Sequence, residues 1–112
     1  MTVGSLQIEV DYSSAGGAFV GGGSTVSCTS PLSAAGALVA FGDDDASEQL
    51  NFAALALAGF SGPTTLASCE FRATGAAPAA GEFSITVVEA TALDLSPIDP
   101  VPTVDVASVT AP

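Results

Sequence analysis

The sequence contains no lysine, histidine or tryptophan, and its one basic side chain, Arg72, stands against twelve carboxylates. Each absence removes a class of function. Without histidine or lysine there is no ordinary general base near neutral pH, which excludes serine-histidine and cysteine-histidine catalysis. A net charge of −11 leaves nothing to meet a phosphate backbone, so nucleic acid is not an expected partner and anionic membrane surfaces are unfavourable. Paired carboxylates could serve a glycosidase, but aromatics are 6% of the chain, with a single tyrosine, which gives little to line a sugar cleft. No enzymatic activity is expected. Gly, Ser, Thr and Asp interrupt every apolar stretch before the roughly eighteen residues of a membrane span, so no membrane insertion is expected. Met1, Thr2 and Val3 show neither the basic start nor the apolar run of a secretory leader, as in a mature form.

What is present points to strands. The 112 residues suit a single domain over 1–112, long enough to bury a two-layer core. Hydrophobic residues are 48% and mean hydropathy is +0.57, but much of this is alanine, so the core must come from Val, Leu, Ile and Phe. The acidity leaves cations, basic proteins or neutral glycans as partners, and by itself it keeps a secreted protein in solution.

Cys28 and Cys69 lie far apart, with no Cys-x-x-Cys pair or histidine cluster to make them metal ligands. A disulfide between two strands is the leading reading, and two buried free thiols are the alternative. The bond would place the protein outside the cytoplasm, secreted or at the cell surface.

Along the chain, residues 6–12 alternate strictly, with Leu6, Ile8, Val10 and Tyr12 on one face and Gln7, Glu9 and Asp11 on the other. A short apolar piece, 18–20, precedes Gly21, Gly22 and Gly23. No Gly-Lys-Ser/Thr follows these glycines, so they are read as a turn and not as a phosphate loop. Strands are predicted over 25–29 and 37–41, with a loop or one helical turn over 32–36. Residues 50–60 can be a helix of about three turns, or a strand whose pairs Leu50/Phe52 and Leu55/Leu57 are joined by a β-bulge at Ala53 and Ala54; the strand is preferred. In the strand predicted over 66–73, Ala67, Cys69 and Phe71 face inward and Ser68, Glu70 and Arg72 outward. Arg72 is expected in an exposed cross-strand ion pair with a glutamate. Further strands are predicted over 82–89 and 103–109, separated by a proline-rich stretch, 93–102, unsuited to a central strand. This succession indicates an all-β fold, an antiparallel two-sheet β-sandwich.

The succession resembles the cohesin family and its close relatives, secreted β-sandwiches of jelly-roll type. The resemblance is carried by LQIEVDYSS at 6–14, GALVAF at 36–41 before an acidic loop, TLASCEFRAT at 65–74, and FSITVVEA at 83–90. Cohesins begin with a further strand before the stretch matching residues 6–12, and here only 1–5 precede it, so a sandwich lacking its first strand is expected. The Cys28/Cys69 pair is not a general cohesin feature and is more like modules of large secreted bacterial proteins. The resemblance implies a non-catalytic extracellular module that binds another protein.

Asp43, Asp44, Asp45 and Glu48 form the best metal candidate, a calcium loop, although they do not match the EF-hand spacing, and adjacent aspartates commonly form only a solvated turn. Asp94 and Asp99 make a sparser acidic loop. Tyr12, Phe19 or Phe60 could offer a small platform to a glycan. Three functions therefore stand as expectations: a cohesin-like adhesion or scaffolding module that binds another protein; a structural subunit of an extracellular filament or surface layer, joined to copies of itself by β-strand addition; and a calcium-dependent glycan binder.

Overall fold

A computed structural model of the chain describes residues 2–109; Met1, from which the N-terminal reading starts, lies outside them. The strands are Val3–Asp11 (β1), Gly17–Phe19 (β2), Cys28–Thr29 (β3), Leu38–Asp44 (β4), Gln49–Phe60 (β5), Ser68–Cys69 (β6), Phe71–Ala73 (β7) and Ser84–Thr91 (β8), with one helical turn at Pro31–Ala34 (α1). The chain is all-β. One antiparallel sheet has the order β4-β5-β1-β8, and two ribbons pair β2 with β7 and β3 with β6.

β1 forms where alternation predicts it, and Leu6, Ile8 and Val10 are buried against the rest of the core. Its neighbour β5 corrects one expectation. The bulge expected from the sequence at Ala53 and Ala54 would put Leu55 and Leu57 on the same face as Leu50 and Phe52. Instead, period two continues unbroken through Leu50, Phe52, Ala54 and Ala56, all buried, and the two leucines face out. Pairing with β4 is regular from Leu38↔Leu55 to Asp44↔Gln49. The irregularity lies farther on, where the register with β1 slips between Ser5↔Leu55 and Val3↔Phe60. Gly59 absorbs it at φ 77°, a left-handed conformation that glycine adopts without strain.

The run predicted over 66–73 is divided at Glu70 between two partners. Thr29 and Cys28 pair with Ser68 and Cys69, and Phe19 pairs with Phe71. The reason lies in the opposite run, which is interrupted by residues 21–26. Ser27 N–H donates to Val20 C=O at 2.7 Å and closes the base of this excursion, while Glu70 bridges both flanks through Val20 N–H and Ser27 C=O. The strand expected over 25–29 accordingly shrinks to β3. Cys28 and Cys69 face each other directly in register and are joined by a disulfide, so the free-thiol alternative does not hold.

Between the sheet and the ribbons, Tyr12, Phe19, Phe71 and Phe83 pack largely edge to face, with ring centroids 5.0–6.2 Å apart. Tyr12 and Phe52 are the largest side chains closed off from solvent. Ser30 caps α1, its hydroxyl accepting from Leu32 N–H, and Pro31 occupies the first turn, where a missing N–H is harmless.

Two boundaries differ from expectation. Residues 80–82 form a 3-10 turn, so β8 starts two residues late and runs on to Thr91. The last strand, predicted over 103–109, does not form: the segment has no ladder among the described residues, although Val104 packs on the core. Pro97, Pro100 and Pro102 lead into it, and without their N–H groups the approach is tied to β8, among the described residues, through the Thr91↔Pro97 bridge and the bond from Ile98 N–H to Ala90 C=O.

The disulfide closes a loop of sequence separation 41. Chain entropy predicts that the Cys28→Ser/Cys69→Ser variant loses about 4 kcal/mol of unfolding free energy. Urea denaturation of the oxidised protein and the variant checks this, and a loss under about 1 kcal/mol would mean that the reduced, unfolded chain already keeps the two segments together.

Candidate functional site

Two places combine chemistry with a reason to hold it. One is the acidic corner where β4 turns toward β5. The inward phase of Val39 and Phe41 continues to Asp43, so this carboxylate enters the interior from a strand and not from the loop in which the sequence reading put it. Asp43 is 6% exposed. Its backbone is clamped by the excursion: Gly23 N–H donates to Asp43 C=O and Asp43 N–H to Gly23 C=O, each at 3.0 Å. The excursion turns this way because Gly21 (φ 84°) takes a conformation in which a Cβ would meet Thr25 O at 2.6 Å. That requirement explains the first glycine of the run.

The phenol of Tyr12 donates to Oδ1 of Asp43 at 2.7 Å and to Oδ1 of Asp45 at 3.1 Å. One proton is thus divided between two carboxylates. Oδ2 of Asp43 is buried and has no hydrogen-bond partner. Burial pushes the Asp43 carboxyl above the usual range; the phenol's hydrogen bond pulls it down, and the nearby Asp45 and Asp44 push it further up. Burial and the two acceptors raise the Tyr12 hydroxyl as well, so it stays a donor throughout the physiological range.

The four residues proposed as a calcium loop do not act together. Asp44 points into its own turn, accepting from Ser47 Oγ at 2.9 Å and from the N–H groups of Ala46 and Ser47, and these bonds hold its carboxyl below the usual range. Glu48 has φ 54° and contributes its backbone carbonyl to Tyr12 N–H. Among the described residues no three His, Cys, Asp or Glu side chains gather as a metal centre. In the second acidic loop, Asp94 is occupied by Ser96, while Asp99 lies exposed before a cis peptide to Pro100.

The other place is the outer face of the four-stranded sheet. The registers align Ser5, Leu55 and Leu38 in one row, and Glu89, Gln7, Ala53 and Ala40 in the next. Small side chains between larger ones leave a shallow depression of about 300 Å³ bordered by Leu38, Leu55 and Glu89. Leu38 is 71% exposed and Leu57 88%. The sequence reading missed this face because it turned Leu55 and Leu57 inward.

Two smaller expectations are corrected. Tyr12 and Phe19 belong to the core and are no platform for a glycan; Phe60 is half-buried. Arg72 is exposed, but its register partner is Ala18, and among the described residues β2 is the strand that pairs with β7, so no glutamate of a described strand faces it across the ladder.

No family model matches the chain, and no curated protein or solved structure matches it either.

Removing the shared donor with Tyr12→Phe is expected to cost about 1–3 kcal/mol, the range for a buried acceptor left unpaired. The pH dependence has a definite sign. Because Asp43 is raised on folding, its contribution is fully present in acid and is lost as pH rises through its folded value. Unfolding curves followed upward from the ordinary carboxylate range should show this loss, and Asp43→Asn, which never ionises, should flatten it. An unchanged profile in the variant would remove Asp43 as the cause.

Proposed function

We propose that the chain is a non-catalytic extracellular module that binds another protein, a cohesin-like adhesion or scaffolding domain. In this reading the two ribbons are the second layer of a jelly-roll sandwich whose first layer is the four-stranded sheet. The observation that carries the reading is the outer face of that sheet, with Leu38, Leu55 and Leu57 exposed around Ala40 and Ala53. An apolar area of this kind on one side of a small domain is a common mark of a contact surface. The disulfide fits an oxidising compartment. Among the described residues no helix is long and apolar enough to cross a membrane.

Charge narrows the partner. Glu89 borders the depression and the whole chain carries −11, so two copies repel while a partner with an aliphatic patch flanked by Lys and Arg is attracted. Steering of this kind weakens with salt.

A second reading, a structural subunit joined by β-strand addition, is favoured by the two sheet edges, β4 and β8, and by the extended segment 101–106, in which exposed and half-buried residues alternate without a ladder. Sedimentation over a wide concentration range separates the two readings. Ordered growth with concentration supports strand addition, and a compact monomer supports the binding module.

The main reading is tested by comparing the wild-type domain with Leu38→Asp/Leu55→Asp as baits for secreted and surface proteins. The expected result is a protein retained by the wild type and lost by the variant, at unfolding free energies within about 1 kcal/mol of each other. Equal retention by both would overturn the role of this face.

A further inference from the structure

The run that carries β6 and β7 has one bonded side and one open side. Glu70 N–H donates to Ser27 C=O at 2.9 Å, Glu70 C=O accepts from Val20 N–H at 3.0 Å, and Thr74 N–H donates to Gly16 C=O at 2.9 Å. Successive residues of a strand direct their backbone groups to opposite sides, so the N–H and C=O of Cys69, Phe71 and Ala73 point away from β2 and β3. Among the described residues no backbone group bonds to them there. Buried backbone groups are almost always paired, so these are met by water and the edge is open. The side chains of Cys69, Phe71 and Ala73 are half-buried, and those of Ser68, Glu70 and Arg72 are exposed.

We infer that this edge pairs with the same edge of a second copy of the chain, antiparallel and about a two-fold axis centred on Phe71. Charge selects the register. With Phe71 opposite its own copy, Glu70 of each chain stands directly across from Arg72 of the other, and Cys69 across from Ala73. Opposite charges placed directly across an antiparallel pair attract, and like charges repel. The next register on one side sets Glu70 against Glu70, and on the other Arg72 against Arg72. Backbone direction agrees with the choice, because Phe71 turns both its N–H and its C=O to the open side, as the central bonded pair of such a ladder requires. The two Phe71 rings then lie side by side on the inner face and cover what each leaves half-buried. The one basic side chain of the molecule, opposite Ala18 within its own ladder, gains a carboxylate in this way.

A two-fold contact uses the same edge on both copies, so assembly closes at two. The outer face of the four-stranded sheet belongs to a different sheet and stays free for another partner. Two chains of charge −11 repel at low ionic strength, and salt screens that long-range repulsion more than it screens a pair in contact. Pairing therefore strengthens with salt, the opposite of a basic partner steered to the sheet face.

The test is sedimentation equilibrium of the folded, oxidised chain from about 10 μM to about 1 mM, the range of weak interfaces, at low and at high sodium chloride. The expected result is a monomer–dimer equilibrium that stops at two and tightens at least about threefold with salt. Arg72→Glu and Glu70→Arg each set like charges across the junction and should each weaken pairing at least about fivefold. Mixed in equal amounts, the two variants should form a heterodimer, because each pair of carboxylates then faces a pair of guanidinium groups. Damage to the fold of either variant would not be repaired by mixing. Ala73→Pro removes an N–H on the open side, leaves the ladder to β2 intact, and should also weaken the dimer. Four outcomes would overturn the pairing: a monomer throughout at both salt levels, a dimer unchanged in Arg72→Glu, a mixture no tighter than either variant alone, or growth beyond two.

Discussion

Tyr12 leaves the end of β1 with its ring against Phe19 and Phe71 and its hydroxyl on Asp43. Three parts of the molecule depend on that placement. The ring links the four-stranded sheet to the ribbon of β2 and β7. The N–H of the same residue bonds to Glu48 and fixes the turn between β4 and β5. The hydroxyl decides which oxygen of each aspartate is engaged. A phenylalanine would keep the first link and lose the third, because only the phenol joins an apolar body to a polar tip.

The interior at this corner is unlike the rest of the core. Elsewhere Leu6, Ile8, Leu50, Phe52 and Ala54 make an ordinary apolar layer. At the end of β4 the same inward phase delivers a carboxylate, and the excursion folds back over it. Tolerating that burial requires the backbone clamp at Gly23 and the donor from Tyr12. The glycine run serves geometry at this point: its backbone passes close to Thr25 and Val26, where a Cβ on Gly21 would not fit.

Much of this architecture was legible in the residues. The alternation of Leu6, Ile8, Val10 and Tyr12 identified β1, and the inward phase shared by Cys69 and Phe71 placed the cysteine where it could meet Cys28. The phase of β5 was not legible, because alanine and leucine alternate in both directions over 53–57 and either set can face inward. It took the packing of Ala54 and Ala56 against the core to decide. Asp43 carried a usable signal, two positions beyond Phe41 and four beyond Val39, but the neighbouring Gly42, Asp44 and Asp45 read as a turn and hid it. The excursion at 21–26 was invisible because its role depends on Glu70, which is distant in sequence. Residues 103–109 have strand-like composition, but a ladder also needs a partner, which composition does not report.

The antiparallel pairing of β1 with β8 brings the start of one strand beside the end of the other, with Ser5 opposite Thr91. A load applied between the two ends of the domain would therefore open this pair like a zipper, one residue pair at a time, instead of shearing all of its hydrogen bonds together. The yield would stop at the covalent bridge: the 41 residue steps between Cys28 and Cys69 are withheld from extension, on the order of 140 Å of chain. Under tension such a domain gives way early where its first and last strands meet, and keeps its disulfide-bound middle as a knot of fixed length.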